Sequence, residues 1–284
     1  MKQIKLFEPI VGSEEEYAIK KTLKSNFWAS GSGSGNVLKF ETQFNRYIGS
    51  KKCVAVNNGS SALHLALSLI DIRNKEVIVP SLSFISTANA VLYNGGIPVF
   101  GDVDPITLCL DVEYIKKLIT KKTKAVLPVH FAGMPANLNE ISDLCKQHNI
   151  VLMEDAAHAA GASYKGKKIG SHGTAVCFSF HPVKNLAMPT GGAITLNSNN
   201  AEKFFRLLKI RRWCGISNRK GALYDVNELG WNFYMNEFSA AIGLVQLKKL
   251  DSLNNKRRKI AKSYTKRLNS SIQRKKKRHK EKKK

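Results

Sequence analysis

The chain has 284 residues, 43% of them hydrophobic, and a formal net charge of +25 at pH 7. Such a length buries one large α/β core and begins a smaller second domain, and the composition excludes a disordered or fibrous protein. No apolar run is as long as a membrane-crossing helix, and residues 1–9 lack the apolar stretch of a secretory signal, so a cytoplasmic protein without a membrane partner is expected.

The charge is unevenly spread. Residues 256–284 hold sixteen Lys or Arg against one acid, Glu281, so +15 of the total sits there and +10 on the first 255 residues. Residues 273–284 contain no apolar side chain, and such a block is expected to be disordered and to attract polyanions nonspecifically. No nucleic-acid-binding module accompanies it, so any nucleic-acid contact is confined to this tail. The five cysteines (Cys53, Cys109, Cys145, Cys177, Cys214) form no CxxC pair and no zinc spacing. They read as buried free thiols in a reducing compartment, and no metal is expected.

In chain order, residues 1–51 read as a helical N-terminal arm with a Gly/Ser turn over residues 31–35. That turn is too irregular for a dinucleotide fingerprint. From residue 52 to about 200, apolar strands alternate with amphipathic helices. Val54-Ala55-Val56 leads into a helix from Ser60 to Leu67. Val77-Ile78-Val79-Pro80 precedes a helix through residues 87–92, and Pro98-Val99-Phe100 is followed by an acidic turn. Strands at residues 125–129 and 150–153 flank a helix from Leu138 to Gln147. Residues 175–180 and 192–196 complete the strands, and a long helix runs from Glu237 to Leu268. This alternation predicts an α/β fold, a three-layer sandwich with a mostly parallel central sheet whose ligand sits beyond the strands' carboxyl ends. The expected domains are the arm at 1–51, a large cofactor-binding domain at 52–236, the connecting helix at 237–268 and the basic tail at 269–284.

Lys184 carries the most chemical information. It stands in Ser179-Phe180-His181-Pro182-Val183-Lys184-Asn185, about thirty residues after Glu154-Asp155-Ala156-Ala157-His158. A lysine amine forms a Schiff base with an aldehyde, and an upstream aspartate holds a pyridinium proton; pyridoxal phosphate needs both. Asn57-Asn58-Gly59-Ser60-Ser61 lies where a strand hands over to a helix, a corner that binds phosphate or merely caps the helix. Asp155 follows an apolar strand and reads as a pyridinium partner or a solvated acid. His158 bonds the ring's phenolic oxygen, positions Asp155, or is simply a packed histidine. Phe84, at a helix start, stacks on a flat ring or belongs to the core.

Taken together these segments resemble the DegT/StrS family of pyridoxal-phosphate sugar aminotransferases, of fold-type I. The resemblance runs over about residues 5 to 268. It includes Asn58-Gly59-Ser60-Ser61-Ala62-Leu63-His64, Ala88-Asn89-Ala90-Val91-Leu92-Tyr93 and Pro128-Val129-His130-Phe131-Ala132-Gly133. It continues through Glu154-Asp155-Ala156-Ala157-His158, residues 178–185 and Gly230-Trp231-Asn232-Phe233-Tyr234-Met235-Asn236-Glu237. The resemblance implies that Lys184 is the covalent anchor and proton shuttle. It puts Asp155 at the pyridine nitrogen, His158 near the phenolic oxygen, Phe84 on the ring, and Gly59, Ser60 and Ser179 at the phosphate. It implies that Asn232 reaches the phosphate of a second copy, making a homodimer. Lysine at position 184, rather than the histidine of a dehydrating branch, implies transamination, from glutamate to a nucleotide-linked keto sugar. The chain departs from the family pattern at Thr174, where an acid is usual, and at Tyr234, where an arginine is common. Its small C-terminal domain is expected to be curtailed. The rival expectations are a catalytically impaired homologue that binds cofactor or regulates a partner, and a polyanion-binding protein acting through the tail.

Overall fold

The computed structural model describes Lys5 and residues 7–281, the last thirteen of these by backbone alone. Two helices open the chain, α1 (Ser13–Lys24) and α2 (Gly35–Ile48). Then come β1 (Lys52–Val56), α3 (Gly59–Leu67), β2 (Glu76–Pro80), α4 (Ser86–Tyr93), β3 (Ile97–Gly101), α5 (Val112–Leu118) and β4 (Thr123–Val126). A 3-10 turn (Phe131–Gly133) leads to α6 (Leu138–Gln147), β5 (Val151–Asp155) and a small hairpin of β6 (Ser163–Tyr164) and β7 (Lys167–Lys168). They are followed by β8 (Ala175–Ser179), β9 (Gly192–Leu196), α7 (Ala201–Arg211), a second hairpin of β10 (Ile216–Lys220) and β11 (Leu223–Val226), and α8 (Glu237–Glu281).

Seven strands form the main sheet in the order β1-β9-β8-β5-β4-β2-β3. The pairings β3·β2, β2·β4, β4·β5 and β5·β8 are parallel, whereas β9 runs against both β8 and β1. Side-chain alternation sorts the strands onto two faces. Val77, Val79, Met153 and Cys177 pack with Leu65 and Leu67 of α3, Val91 of α4 and Leu208 of α7. Ile78, Val126 and Leu152 face Val112 and Ile115 of α5 and Ile141 and Leu144 of α6. The expected sandwich of helix, sheet and helix is therefore present.

The chain divides into two units, Met1–Leu247 and Lys248–Lys284. Within the first, residues from the Gly/Ser turn onward are not a separate arm. Phe44 of α2 meets Phe178 and Phe180 edge-on, with ring centroids 5.1 and 5.3 Å apart. Arg212 and Glu41, both buried, form an ion pair, and Arg212 also donates to the carbonyls of Ala55 at 2.7 Å and Ser32 at 3.2 Å. One guanidinium thus ties the turn, α2 and β1 to the end of α7.

Three further expectations change. The strand expected over residues 125–129 ends at Val126, because Pro128 has no N–H for a ladder. Cys214 is exposed, whereas the other four thiols are buried as expected. The helix expected to stop at Leu268 before a disordered tail continues to Glu281. Residues 269–281 contain no Pro or Gly, and Lys, Arg and Gln are good helix formers. Residues 282–284, the end of the expected tail, lie outside the described residues.

Candidate active site

Parallel strands deliver their last residues, and the N-termini of the helices that follow, to one edge of the sheet. There the carboxyl ends of β1, β5 and β8 enclose a cavity of about 370 Å³. Its walls carry Gly59, Ser60, Phe84, Asp155, His158, Ser179 and Lys184, so seven of the eight expected site residues converge on it. Asn232, the eighth, does not line it. It is exposed, its carbonyl lies 3.5 Å from Asn57 Nδ2, and it pairs with Trp213.

Asp155 is the last residue of β5 and is 4% exposed. A buried carboxylate is costly unless it is hydrogen-bonded. Thr87 Oγ1 donates to its Oδ2 at 2.8 Å and the Ala157 N–H to its Oδ1 at 3.0 Å. The carboxyl is thereby held at the cavity floor, oriented from two elements. The sequence reading leaves Thr87 unassigned. Its position three residues after Phe84, on the first turn of α4, was the available signal.

Lys184 follows β8 and is half-buried. Burial lowers its pKa from the ordinary lysine value, while the Asp155 charge works the other way. A larger share of neutral, nucleophilic amine results. His158 is also pushed below its usual value, by burial and then by Lys184, against the pull of Asp155. Its Nδ1 accepts the Ala132 N–H at 3.3 Å. Phe84 is 72% exposed at the cavity rim, an open aromatic face rather than a core residue.

At the N-terminus of α3, Asn58 Oδ1 accepts the Ser61 N–H at 2.8 Å, which fixes the first turn. Ser60 and Ser86 share a hydroxyl hydrogen bond of 2.6 Å. A Cβ at position 59 would fall 2.7 Å from Ser179 Cβ, so only glycine lets these two segments approach. The result is a cradle of helix N–H groups, positive helix dipole and serine hydroxyls, suited to a phosphate monoester. Lysine, buried carboxylate, open aromatic ring and phosphate cradle occupy one cavity, the donor set that pyridoxal phosphate requires. His181 and Val183 also line the cavity and went unassigned in the sequence. Among the described residues no cluster of potential metal ligands exists.

The fold and cavity define a pyridoxal-phosphate-binding α/β protein. Residues 9–284 match the DegT/DnrJ/EryC1/StrS aminotransferase family, and the chain belongs to it. It is 37% identical over 262 residues to the spore coat polysaccharide biosynthesis protein SpsC of Bacillus subtilis, covering 90% of this chain and 67% of that one. PseC of Helicobacter pylori, described as an aminotransferase involved in the biosynthesis of pseudoaminic acid, superposes with a TM-score of 0.82 at 30% identity, over 88% of this chain and 66% of its own. The PLP form of Spr1654 from Streptococcus pneumoniae, described as a putative sugar aminotransferase, gives a TM-score of 0.86 at 27% identity, over 93% and 71%. The chain thus spans about two thirds of the length of these relatives. Pyridoxal phosphate is the cofactor, in keeping with the PLP and PMP forms of Spr1654 and with the donor set of the cavity.

Proposed function

We propose that this chain moves an amino group from glutamate to a nucleotide-linked keto sugar, in the cytoplasm and as a homodimer, for surface polysaccharide or glycan synthesis. The observation that carries the reading is Lys184 beside the buried Asp155 in one cavity with the Gly59–Ser60 cradle. Two of the relatives are described by a saccharide product or pathway, which favours a sugar as acceptor.

Bound pyridoxal phosphate supplies an electron sink that stabilises negative charge on the carbon next to the transferred nitrogen. Lys184 would hold the aldehyde and supply the amine that moves the proton, a task suited to an amine whose pKa burial lowers. Asp155, oriented by Thr87 and Ala157, would hold a proton on the pyridine nitrogen. His158 would serve the phenolic oxygen, and Phe84 would stack on the ring. Gly59, Ser60 and Ser179 would hold the phosphate, and Asn232 would serve the phosphate of a second copy. Among the described residues no helix is long and apolar enough to cross a membrane.

The test is the absorption spectrum of the purified chain with pyridoxal phosphate, followed by glutamate, then by candidate keto sugars. A visible band fixed on Lys184 by borohydride and bleached by glutamate is expected, with the band restored by the correct sugar. A band on Lys184 that no amino donor bleaches would replace the reading with a cofactor binder without turnover. Absence of any band would overturn it.

A further inference from the structure

Glu154 and His130 are both 0% exposed, and neither lines the cavity. Alternation along β5 turns Glu154 to the face opposite Asp155. The Ala136 N–H donates to His130 Nδ1 at 3.1 Å, so the ring hydrogen is on Nε2, and that N–H donates to Glu154 Oε2 at 2.9 Å. The other carboxyl oxygen packs against Gly173, where a Cβ would lie only 2.4 Å away. That oxygen has no hydrogen-bond partner, so the bond from His130 Nε2–H is what holds this buried carboxyl and ties β5 to the backbone around His130.

That backbone is the segment 128–133. The His130 N–H donates to the Asp155 carbonyl at 3.0 Å, and the Asp155 N–H to the Pro128 carbonyl at 2.9 Å. Both backbone groups of the pyridinium partner are therefore clamped to the residues around His130. Three residues further on, the Gly133 N–H closes a turn onto the His130 carbonyl at 3.1 Å. Inside this turn Ala132 adopts φ +51°, and its N–H donates to His158 Nδ1 at 3.3 Å. An Nδ1 that accepts leaves the His158 hydrogen on Nε2. The Phe131 ring meets His158 edge-on at 6.0 Å and limits its rotation.

We infer that Glu154 and His130 are positioning residues which, through the Ala132 N–H, hold His158 as the Nε2–H tautomer and keep it a hydrogen-bond donor at the cavity wall. The same pair keeps Asp155 in register. Its relevance to the cofactor rests on the proposed function, but the tautomer does not.

Histidine labelled with ¹⁵N in the full chain without cofactor, with the His158 signals assigned by their loss in His158→Gln, tests the inference. In the wild type, His158 should show an unprotonated Nδ1 and a protonated Nε2. Glu154→Gln keeps an acceptor for His130 and should preserve this pattern. Glu154→Leu removes the acceptor, and His158 should become a mixture of tautomers. With pyridoxal phosphate added, the pH midpoint of the visible band should then move by about one unit, the scale of one hydrogen bond to an ionised group. Should Glu154→Leu not fold, Glu154→Asp, which withdraws the acceptor by one methylene, takes its place with the same expected loss. Protonation of wild-type His158 on Nδ1, or an unchanged tautomer in the leucine or aspartate variant, overturns the inference. A wild-type chain with the expected tautomer but no visible band sinks the cofactor reading and leaves the positioning role standing.

Discussion

The two ends of the parallel strands carry cavities of opposite character. The cavity at the carboxyl ends, of about 370 Å³, brings together Lys184, Asp155 and the N-terminus of α3. The one at the amino ends is larger, about 540 Å³, and is lined by α6, the start of β5 and the loops before β8 and after β9. Its lysine, Lys146, is paired with Asp143 at 3.1 Å, and its buried His172 Nδ1 and Ser198 Oγ have no protein partner. The difference follows from the topology. A crossover helix starts near the carboxyl end of the preceding strand and finishes near the amino end of the next, so positive helix dipoles collect at one edge and carbonyls at the other. An anionic cofactor belongs at the first edge, although the second offers more room. Cavity size does not locate the chemistry here; the direction of the strands does.

The largest effect that would sharpen this contrast is expected from Lys184→Ala. Amino transfer should fall by roughly 10⁴-fold, because the proposed anchor and proton carrier are lost together. The visible band should disappear while the thermal transition stays in place, since Lys184 is half-buried at the edge of the core. Retained transfer in this variant would break the assignment of the carboxyl-end cavity.

Asp155→Asn comes next, with a loss of about 10³-fold in transfer, as expected when an electron sink loses its proton-holding partner. A second, signed effect accompanies it. Asp155 raises the Lys184 pKa against the lowering by burial. Removing that charge leaves burial unopposed, so Lys184 should capture an aldehyde from a lower pH than in the wild type. A pH profile of band formation checks this, and an onset shifted to higher pH would contradict it.

Gly59→Ala is expected to weaken cofactor binding about tenfold, because the added Cβ, 2.7 Å from Ser179 Cβ, forces the two halves of the phosphate cradle apart. Titration with pyridoxal phosphate measures it, and inorganic phosphate should compete less well with the variant.

The sheet was largely legible in the sequence, because buried parallel strands such as Val77-Ile78-Val79-Pro80 are short apolar runs between amphipathic helices. The helix from Leu138 to Gln147 emerges with the bounds its periodicity predicts. Ends set by backbone chemistry were harder: Pro128 cuts β4 short, and the basic run carries α8 beyond its apolar face. In the site, residues with intrinsic reactivity such as Lys184 and Asp155 announced themselves. Thr87 did not, since its bond to Asp155 spans 68 residues and arises only where the first turn of α4 meets the carboxyl end of β5. The Glu154–His130 pair was equally hidden, because it matters only once two segments 24 residues apart are seen back to back.

The smallest expected effect lies at the opposite edge. His172→Ala should change amino transfer by no more than about twofold, since surface or rim changes away from a site cost little. Its signature is in stability. Burial lowers the His172 pKa below the ordinary histidine value of 6.5, with Glu154 pulling the other way and His130 and Lys167 adding to the lowering. The unfolded chain therefore binds a proton at this position at a pH where the folded chain does not. Stability is complete above pH 6.5 and declines as pH falls from there toward the lowered folded value. His64 and His158 are lowered in the same direction, so among the described residues three such contributions are present. His172→Ala should leave two, and the thermal transition should lose less between pH 7 and pH 5 than in the wild type. A variant that keeps the wild-type slope would remove His172 from the pH dependence of stability, whereas one that loses transfer activity would show that the amino-end cavity takes part in the chemistry after all and would dissolve the contrast between the two edges.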